Sequence, residues 1–576
     1  MRRDRHWTSA PDTAHSFTKQ SLKGFFLSRS RGRYSHGVAV VALWAALGAA
    51  RADEGLPGTP AAAAVLAVPN PAANIDYTPT GATQANGGSS LEPALPPETQ
   101  APVTENAPPS VADRLPFVID ALIARPGGLH ALGAGDWRAA RQALRWLYAQ
   151  RGLQPIWVDG AGLNAAGRSL LARLKRAGED GLDLKPFVLP DANLSESSPD
   201  RLAEIEANLS AVAAVYALEA TGARIAPLSI SQLAGPTVEV VDPLDALTAI
   251  AAASDPGRRL QDFNPPQPGY RRLREKLAEL SAPKTASGAE TAPGLIRTRI
   301  EEAPRLGLAL AKVASARSIS SDAEPPTRLA TTGESAAAQR AAIEANMEMW
   351  RWLPRDMGRN RIEINVPDYM LTLYKNDAEA DRSRVIVGKP TTPTPIFSNS
   401  VKYLLVNPIW RIPESIVKKE MLPKAGGDLS YLEKHGFNVK EIHGQIFVEQ
   451  PPGEANALGR LLFMFPNSYS VYLHDTPARG LFAAAKRALS HGCVRVEQPM
   501  RLAAEVMGGA PSGWSPEKVE GLLGPNERAV FLPEQLPIHI EYFTEFVDDS
   551  GALRQREDIY GWTARVAATL ASLGQD

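Results

Sequence analysis

Residues His474 to Val496 read HDTPARGLFAAAKRALSHGCVRV, and they contain Cys493, the only cysteine of the 576 residues. His491 lies two positions before this cysteine and Arg495 two positions after it. The thiolate rather than the thiol is the nucleophilic form, and a free cysteine has a pKa of about 8.5, so a reactive thiol requires a nearby base or positive charge. Because the stretch supplies imidazoles and a guanidinium close to a lone thiol, it predicts covalent catalysis by Cys493.

The local pattern predicts how His474 meets Cys493. The run 471–473 is typical of a strand, so His474 lies at a strand end, and residues 479–489 are compatible with a short helix. The alternation of Val494 and Val496 then indicates another strand. Two strand ends joined by one short helix place an imidazole beside a thiol, for proton transfer or for a thiolate–imidazolium pair.

The residues around Cys493 suggest the supporting roles. Gly492 lets the backbone approach a bound carbonyl closely, so that the amides of Gly492 and Cys493 stabilise an oxyanion. His491 either adds a hydrogen bond or orients the loop. Ser490 and Arg495 are the candidate substrate-binding residues, although Arg495 is equally compatible with a structural ion pair.

Other readings of the cysteine are less favoured. Zinc sites need several ligands, there is no second cysteine, and His443 and His539 are distant in sequence. A papain-like protease has its cysteine first and its histidine much later in the chain, which is the reverse of the order here. A buried cysteine acting as a small core residue is the remaining structural alternative.

Period-two hydrophobic runs extend from Arg361 to Phe543 and predict a mainly-β sandwich or barrel around this stretch. The pattern reverts to helix over 411–441, which predicts either a lid over a binding site or a surface loop. Residues 113–282 show helical periodicity, with Trp137, Trp146 and Trp157 as expected core anchors. The predicted fold class is therefore α+β and multidomain.

Composition constrains the remainder of the chain. The 62 basic and 63 acidic residues give a net charge of −1, which offers no argument for a nucleic-acid partner. An arginine-rich flank, a short apolar run and an Ala-Arg-Ala site ending at Ala52 predict a cleaved signal peptide. The alternative is an uncleaved anchor, but the apolar run is shorter than the ~20 residues that a bilayer requires. The predicted order is a signal peptide (1–52), a disordered linker (53–112), a helical scaffold domain (113–282), a low-complexity linker (283–335), a connecting helix (336–360), a catalytic domain (361–548) with a lid insertion (411–441), and a C-terminal helix (549–576).

The stretch resembles the active-site signature of the L,D-transpeptidases with a YkuD catalytic domain, which has a histidine, a spacer, Ser/Thr-His-Gly-Cys and Val-Arg/Asn. The wider chain is similar to the large periplasmic YcbB-like subfamily. The supporting segments are WRIPES (410–415), QPPG (450–453), NALGR (456–460), VYLHDTP (471–477), DIYG (558–561), YAQRGLQPIW (148–157) and EDGL (179–182). The chain departs from that pattern at 283–335, which lacks a convincing peptidoglycan-binding module.

The resemblance implies a periplasmic peptidoglycan L,D-transpeptidase of cell-wall biogenesis that requires no metal or organic cofactor. Cys493 is then the nucleophile that forms a thioester with the third-position diaminopimelate of one stem peptide, and His474 is the general acid and base. A second stem's diaminopimelate amine accepts the acyl group, and carbapenems are expected to acylate Cys493. The alternatives are a protein amine as acceptor, such as that of an outer-membrane protein, an L,D-carboxypeptidase that uses water, and a non-enzymatic wall-binding scaffold.

Overall fold

The computed structural model describes residues 109–124, 134–191, 197–281, 328–329, 335–548 and 550–573, and for 134–138 and 328–329 it describes the backbone. The predicted signal peptide and nearly all of the two predicted linkers lie outside the described residues. No helix in these described ranges has the length and apolar character needed to span a lipid bilayer.

The first part of the described chain is helical, as its periodicity predicts. Its helices are α1 (Val111–Ala124), α2 (Ala134–Gln150), α3 (Ala165–Leu174), α4 (Pro199–Ala220), α5 (Pro227–Ile230), α6 (Pro243–Ala251), α7 (Pro256–Gln261) and α8 (Pro268–Ser281), with a small hairpin of β1 (Val158–Asp159) and β2 (Gly162–Leu163). Asn164 caps α3 by accepting a hydrogen bond from the Gly167 amide, a bond that satisfies one of the free amides of the first turn.

The core of this helical part forms around α4, which is buried along most of its length. Trp157 is fully buried there, as predicted, and its indole donates to the Ser210 hydroxyl at 2.7 Å. The prediction that Trp146 anchors the core is wrong, because 54% of its surface is exposed. The side chain of Trp137 lies outside the described residues.

Helix α9 (Ala336–Trp350) joins the helical part to the sheet that follows. Ser335 caps the helix by accepting from the Ala338 amide at 3.2 Å. At its C-terminal end Trp350 stacks on Phe543 with ring centroids 4.2 Å apart, and Trp352 is buried in the same core as the sheet. These two tryptophans therefore dock the end of α9 on the sheet that follows.

One sheet in the described chain joins strands from residues 361 to 541. Its strands are β4 (Arg361–Asn365), β5 (Met370–Lys375), β6 (Ala378–Gly388), β7 (Phe397–Val406), β11 (Leu461–Met464), β12 (Leu473–His474), β13 (Ala488–Ser490), β14 (Val494–Val496) and β15 (Arg528–Glu541). The order is β13-β6-β14-β12-β11-β7-β15-β4-β5, and the further pairing of β5 with β6 closes the sheet on itself. Alternate side chains such as Ile362 and Ile364 fill the interior, which confirms a mainly-β domain.

The insertion between β7 and β11 is a small unit of its own. It contains β8 (Trp410–Arg411), α10 (Glu414–Ile416), a π-helical turn (Val417–Met421), α11 (Leu422–Lys424), α12 (Leu429–Lys434), β9 (Asn438–Ile442) and β10 (Gln445–Gln450). The three strands pair in the order β8-β10-β9, and residues such as Val417 and Val448 form a separate core. The unit therefore begins where predicted, but it continues through β10, a segment that the sequence pattern assigns to the main sheet.

After β14 the chain forms α13 (Pro499–Val506) and α14 (Pro516–Glu520), and β15 returns it to the sheet. Beyond β15 lie β16 (Glu545–Val547), β17 (Leu553–Gln555) and α15 (Trp562–Leu573), and β17 pairs with both β16 and β3 (Arg328–Leu329). The predicted C-terminal helix over 549–576 is therefore correct only for α15. Residues Leu553–Gln555 are extended instead, because β17 pairs with β16.

Candidate active site

The site rests on two neighbouring strands, β12 and β14, which run parallel. Their register pairs Leu473 with Val494 and His474 with Arg495. Leu473 and Val494 are fully buried in the sheet core. Because side chains alternate between the faces of a strand, His474, Arg495 and the residue just before β14, Cys493, lie together on the opposite face. The structure therefore brings the predicted imidazole and thiol to one face of adjacent strands.

The link between the two strands differs from the predicted helix over 479–489. A single 3₁₀ turn spans Arg479–Ala483, and Ala488–Ser490 then forms β13, which pairs in parallel with the end of β6. Arg487 is buried and donates to the backbone carbonyls of Val385, Tyr369 and Ala484. These long-range contacts hold the segment extended and override its local helix propensity.

His474 is held in one orientation and is largely removed from water, with 4% of its surface exposed. Its Nδ1 lies 2.6 Å from the carbonyl oxygen of Asp475. A carbonyl oxygen accepts only, so Nδ1 carries the proton and Nε2 is the basic nitrogen. Burial, together with the nearby positive charge of Arg495, lowers the pKa of His474 to about 4. The imidazole is therefore neutral at physiological pH.

The Cys493 thiol is half-buried, and its Sγ lies 3.9 Å from the Ser470 carbonyl oxygen. Burial raises the pKa of the thiol, while a hydrogen bond from the Tyr472 backbone and the charge of Arg495 act in the opposite direction. With a neutral imidazole and a protonated thiol at rest, the site is arranged for proton transfer during attack. Of the two modes open at the sequence level, a resting thiolate–imidazolium pair is not supported.

The residues Ser490–Cys493, called the catalytic loop below, are tied together by the Ser490 hydroxyl. This hydroxyl donates to the Cys493 carbonyl at 2.6 Å and accepts from the Gly492 amide at 3.1 Å. Ser490 is 1% exposed and its hydroxyl is occupied within the loop, which favours a structural role, and its role in substrate binding stays a prediction. The bond that this hydroxyl accepts engages the Gly492 amide, so of the two roles predicted for Gly492 the structure favours orientation over oxyanion binding.

His491 points toward the insertion rather than toward the thiol. Its Nε2 lies 2.9 Å from the Glu420 carboxylate, in the π-helical turn, and 3.4 Å from the Lys389 amine. π-helical turns are uncommon and occur often at functional sites. The contact joins the insertion to the catalytic loop, as a lid requires, and it supports orientation rather than oxyanion binding as the role of His491.

The half-buried Arg495 differs from the buried Arg173, Arg224 and Arg351, each of which pairs with a carboxylate. Among the described residues no carboxylate pairs with it, and its buried Nε has no hydrogen-bond partner. Burial lowers the pKa of its guanidinium. Of the two predicted roles, the structural ion pair is not observed within these residues, and the arrangement favours a bound carboxylate.

Several groups that shape the site were missed at the sequence level. The Asp475 carbonyl, the Tyr472 amide and the Ser470 carbonyl are backbone groups, which no side-chain pattern reveals. Glu420 lies in the segment predicted as a lid, but its contact with His491 depends on the fold. Within the described ranges no group of three or more histidine, cysteine or acidic side chains is arranged to hold a metal ion.

Family comparisons identify two segments of the chain. Residues 359–518 match the YkuD family, described as the L,D-transpeptidase catalytic domain, and residues 142–277 match a family described as the scaffold domain. The first match includes His474, the insertion and the catalytic loop with Cys493. The second match lies within the helical part. The resemblance to the YkuD-type L,D-transpeptidases is thereby confirmed, whereas the YcbB-like subfamily stays a prediction.

A Haemophilus influenzae protein that is provisionally named an L,D-transpeptidase is 31% identical over 270 residues, which cover 44% of this chain and 53% of that protein. The chain thus spans about half the length of this curated relative. The structure of L,D-transpeptidase 3 from Mycobacterium tuberculosis with a faropenem-derived adduct is 12% identical, covers 32% of this chain and 60% of that chain, and has a TM-score of 0.17. An L,D-transpeptidase from Mycobacterium smegmatis is 13% identical over 32% of this chain and 58% of that chain, with a TM-score of 0.16.

Proposed function

We propose, from the premise that residues 359–518 are an L,D-transpeptidase catalytic domain of the YkuD family, that this protein cross-links peptidoglycan stem peptides through a Cys493 thioester. The observation that carries the proposal is the parallel register of β12 and β14, which sets a buried, neutral His474 on the same face as the lone thiol. The proposed location is the periplasm, where the proposed substrate lies.

The first half-reaction is acylation of the thiol. As Cys493 Sγ attacks the carbonyl of the third-position diaminopimelate of a tetrapeptide stem, the thiol proton passes to Nε2 of His474. A sulfur–carbon bond forms, and the carbon–nitrogen bond to the terminal D-alanine breaks. The proton on Nε2 then passes to the leaving amine. Because His474 is neutral at rest, it is ready to take the proton without a prior change of charge.

The second half-reaction returns the thiol. The side-chain amine of another stem's diaminopimelate attacks the thioester, a nitrogen–carbon bond forms, and the sulfur–carbon bond breaks. The amine loses a proton to His474, which passes it to the departing thiolate. Dividing one amide exchange into two acyl transfers is the usual advantage of a covalent nucleophile. The product is a link between the third residues of two stems.

Two parts of the site bear on substrate recognition. The unpaired, half-buried guanidinium of Arg495 is suited to a carboxylate of the stem peptide, which carries several such groups. The insertion contacts the catalytic loop through Glu420 and His491, so that its position and access to Cys493 are coupled. We therefore propose that the insertion covers the bound stem.

The proposal is tested by incubating the purified chain with disaccharide-tetrapeptide and analysing the products by mass spectrometry. A dimer that has lost one D-alanine is the expected product. Cys493→Ala and His474→Asn are the control variants, and both are expected to abolish it. A carbapenem is expected to add covalently to the wild-type chain and not to Cys493→Ala.

The same experiment separates the alternatives. D-alanine release with only tripeptide formed identifies water as the acceptor, and thus a carboxypeptidase. D-alanine release that yields a cross-linked product only when a protein amine is added identifies a protein acceptor. Wall binding by Cys493→Ala equal to wild type, together with no product and no carbapenem adduct from either chain, would replace the enzymatic proposal by a wall-binding scaffold.

A further inference from the structure

The carbonyl of Gly492, in the catalytic loop, is held by a residue from another part of the sheet. The Thr394 hydroxyl donates to this carbonyl at 2.7 Å and accepts from the Gly388 amide at 2.8 Å. Thr394 has 0% of its surface exposed. The hydroxyl therefore has a fixed orientation, since its single proton goes to Gly492 while a fixed backbone amide occupies its oxygen.

The position of this carbonyl determines where the Cys493 amide points. Gly492 C=O and Cys493 N–H belong to one planar trans peptide, so they point in opposite directions. Gly492 has a φ of +120°, a conformation that L side chains rarely adopt, and so local backbone preference does not by itself hold this peptide in place. Fixing the carbonyl against Thr394 directs the Cys493 amide to the other side.

The Cys493 amide is an available donor of the catalytic loop, and it belongs to the nucleophile itself. The Gly492 amide is used by the Ser490 hydroxyl, whereas the Cys493 amide makes no hydrogen bond with any part of the chain that the structure describes. In acyl transfer the attacked carbonyl oxygen gains negative charge, and a backbone amide adjacent to the nucleophile is a suitable donor to it. The geometry thus leaves the Cys493 amide, next to the nucleophilic sulfur, available for that task.

The C-terminal segment holds Thr394 in turn. The Tyr560 hydroxyl accepts from the Thr394 amide at 3.1 Å and donates to the Gly388 carbonyl. The Tyr560 amide donates to the Tyr542 hydroxyl at 2.8 Å, and that hydroxyl donates to Asp558 at 2.6 Å. The Tyr560 ring packs in the sheet core, with its centroid 5.6 Å from that of the Tyr542 ring. This packing restricts the position of the Tyr560 hydroxyl that contacts Thr394.

Gly388 closes the turn that carries Thr394. A Cβ at this position would lie 2.2 Å from the Thr392 carbonyl oxygen and 2.7 Å from the Thr394 nitrogen, too close for any side chain. The turn from Gly388 to Thr394 is therefore compact, and its backbone is fixed on one side by β6 and on the other by Tyr560.

We propose that Thr394 is a positioning residue for acyl transfer: its hydroxyl holds the Gly492–Cys493 peptide so that the Cys493 amide faces the developing oxyanion, with Tyr560 holding Thr394 in place. This inference rests on the proposed acyl-transfer function. It assigns part of the site's geometry to residues 542–560, which lie beyond the segment that matches the catalytic-domain family.

The test compares Thr394→Val with Thr394→Ser. Valine keeps the shape but removes the hydroxyl, and serine restores the hydroxyl. Loss of an oxyanion donor typically lowers kcat by about 100- to 1000-fold, and an indirect loss of orientation is expected to lower it by about 30- to 100-fold. KM for the tetrapeptide should change by less than about threefold, because the charge is absent from the ground state. Thr394→Ser should retain kcat within about threefold of wild type.

A second measurement separates positioning from general damage. Alkylation of Cys493 by iodoacetamide proceeds without an oxyanion, so Thr394→Val should alkylate at the wild-type rate while its acylation by a carbapenem slows. Thr392→Val is the matched control variant. The Thr392 hydroxyl also donates to a carbonyl of the catalytic loop, that of Ser490 at 3.1 Å, but this carbonyl does not belong to the Gly492–Cys493 peptide. Its effect on acylation should be several-fold smaller than that of Thr394→Val.

Three results would overturn the inference: wild-type acylation by Thr394→Val, an equal fall in acylation and alkylation for that variant, or equal losses for Thr392→Val and Thr394→Val. Failure of the proposed function has a different signature. In that case the wild-type chain itself releases no D-alanine and forms no carbapenem adduct, although iodoacetamide still alkylates Cys493.

Discussion

Two groups of buried charges in this molecule differ in how they are compensated. In the first, called the scaffold charge cluster here, Asp180 lies 2.9 Å from Arg173 and 2.6 Å from Arg274, and Glu348 lies 2.6 Å from Arg224 and 3.1 Å from Arg351. The second is the outer face of β12 and β14, where Arg495 has no acidic partner in the described chain and lies near a thiol and an imidazole.

The difference separates charges that hold the fold from a charge that we propose binds a substrate carboxylate. The ions of the scaffold charge cluster lie on α3, α8 and α9 and in the segments just after α3, α4 and α9, and they pair with one another, so removing one partner leaves an uncompensated charge. Arg351 also donates to the Tyr270 hydroxyl at 3.0 Å, which binds the α9 end to α8. At the active-site face burial instead shifts the pKa of His474 and Cys493 away from their ordinary values, as is common where chemistry occurs.

The largest expected effect comes from breaking the scaffold charge cluster at Asp180. The Asp180 carboxylate faces Arg173 and Arg274 and also accepts a hydrogen bond from the Tyr216 hydroxyl, and Asp180→Asn removes its charge. We expect a loss of about 3–5 kcal/mol in the free energy of unfolding, measured by urea denaturation of the helical part. The folded variant should acylate normally.

The control for this variant is Asp262→Asn, which breaks an exposed pair with Arg258 at 3.2 Å. Its expected cost is below about 1 kcal/mol. Equal costs for the two variants would remove the distinction between buried, paired charges and exposed ones.

The second prediction concerns Arg495. Arg495→Met removes a half-buried charge without a partner, so the free energy of unfolding should change by less than about 1 kcal/mol or increase. If the guanidinium binds a substrate carboxylate, kcat/KM for the tetrapeptide should fall by about 100-fold. Melting curves and steady-state kinetics give the two numbers.

Arg501→Met is the control variant with the opposite expected outcome, because Arg501 has an acidic partner: it lies 2.8 Å from the mostly buried Asp381. It should destabilise the fold by leaving that carboxylate unpaired and should spare kcat/KM of the folded enzyme. Stability loss without a kinetic defect for Arg495→Met would place Arg495 with the structural charges.

A third prediction uses Glu219, which lies buried beside the scaffold charge cluster and has one oxygen without a hydrogen-bond partner. Burial raises its pKa to about 7. The folded state thus binds a proton that the unfolded chain loses near its ordinary pKa of about 4.5, so wild-type stability falls as the pH rises from about 4.5 to 7. Glu219→Gln lacks this dependence and should be more stable than wild type above pH 7, by about 1–3 kcal/mol.

Melting temperatures of the two proteins across pH 4 to 8.5 measure this effect. The difference between variant and wild type should grow over the interval from the unfolded to the folded pKa and stay level above it. A difference independent of pH would mean that Glu219 is ionised in the folded state throughout, and hence compensated like its neighbours.

The smallest effect is expected at the pair Glu420–His491, of which each side chain is 40% exposed. Glu420→Gln should change stability by less than about 1 kcal/mol. Since the pair joins the insertion to the catalytic loop, we expect KM for the tetrapeptide to rise by about two- to fivefold with kcat little changed. Glu414→Gln, which loses only the exposed pair with Lys418 inside the insertion, is the control and should leave KM as it is.

Much of this protein follows from local sequence. The period-two runs predict strands because alternate side chains of a strand face one core, and α9 begins where the connecting helix is predicted to begin, because Ser335 caps it. The proposed nucleophile and its histidine follow from a single cysteine in a specific motif. Trp146 shows the limit of such reasoning, since periodicity does not reveal which face of a helix meets a neighbour.

Only the tertiary structure decided how the site is set for chemistry. His474 is neutral because strands distant in sequence exclude water around it, and Ser490 is occupied because the catalytic loop folds back on its own carbonyl and amide. The segment before Ser490 is a strand because it pairs with β6, and Thr394 reaches Gly492 from nearly a hundred positions away in the chain. Desolvation and long-range backbone pairing depend on which segments meet in space, so a local pattern predicts the candidate reacting residues but not their protonation or their hydrogen bonds.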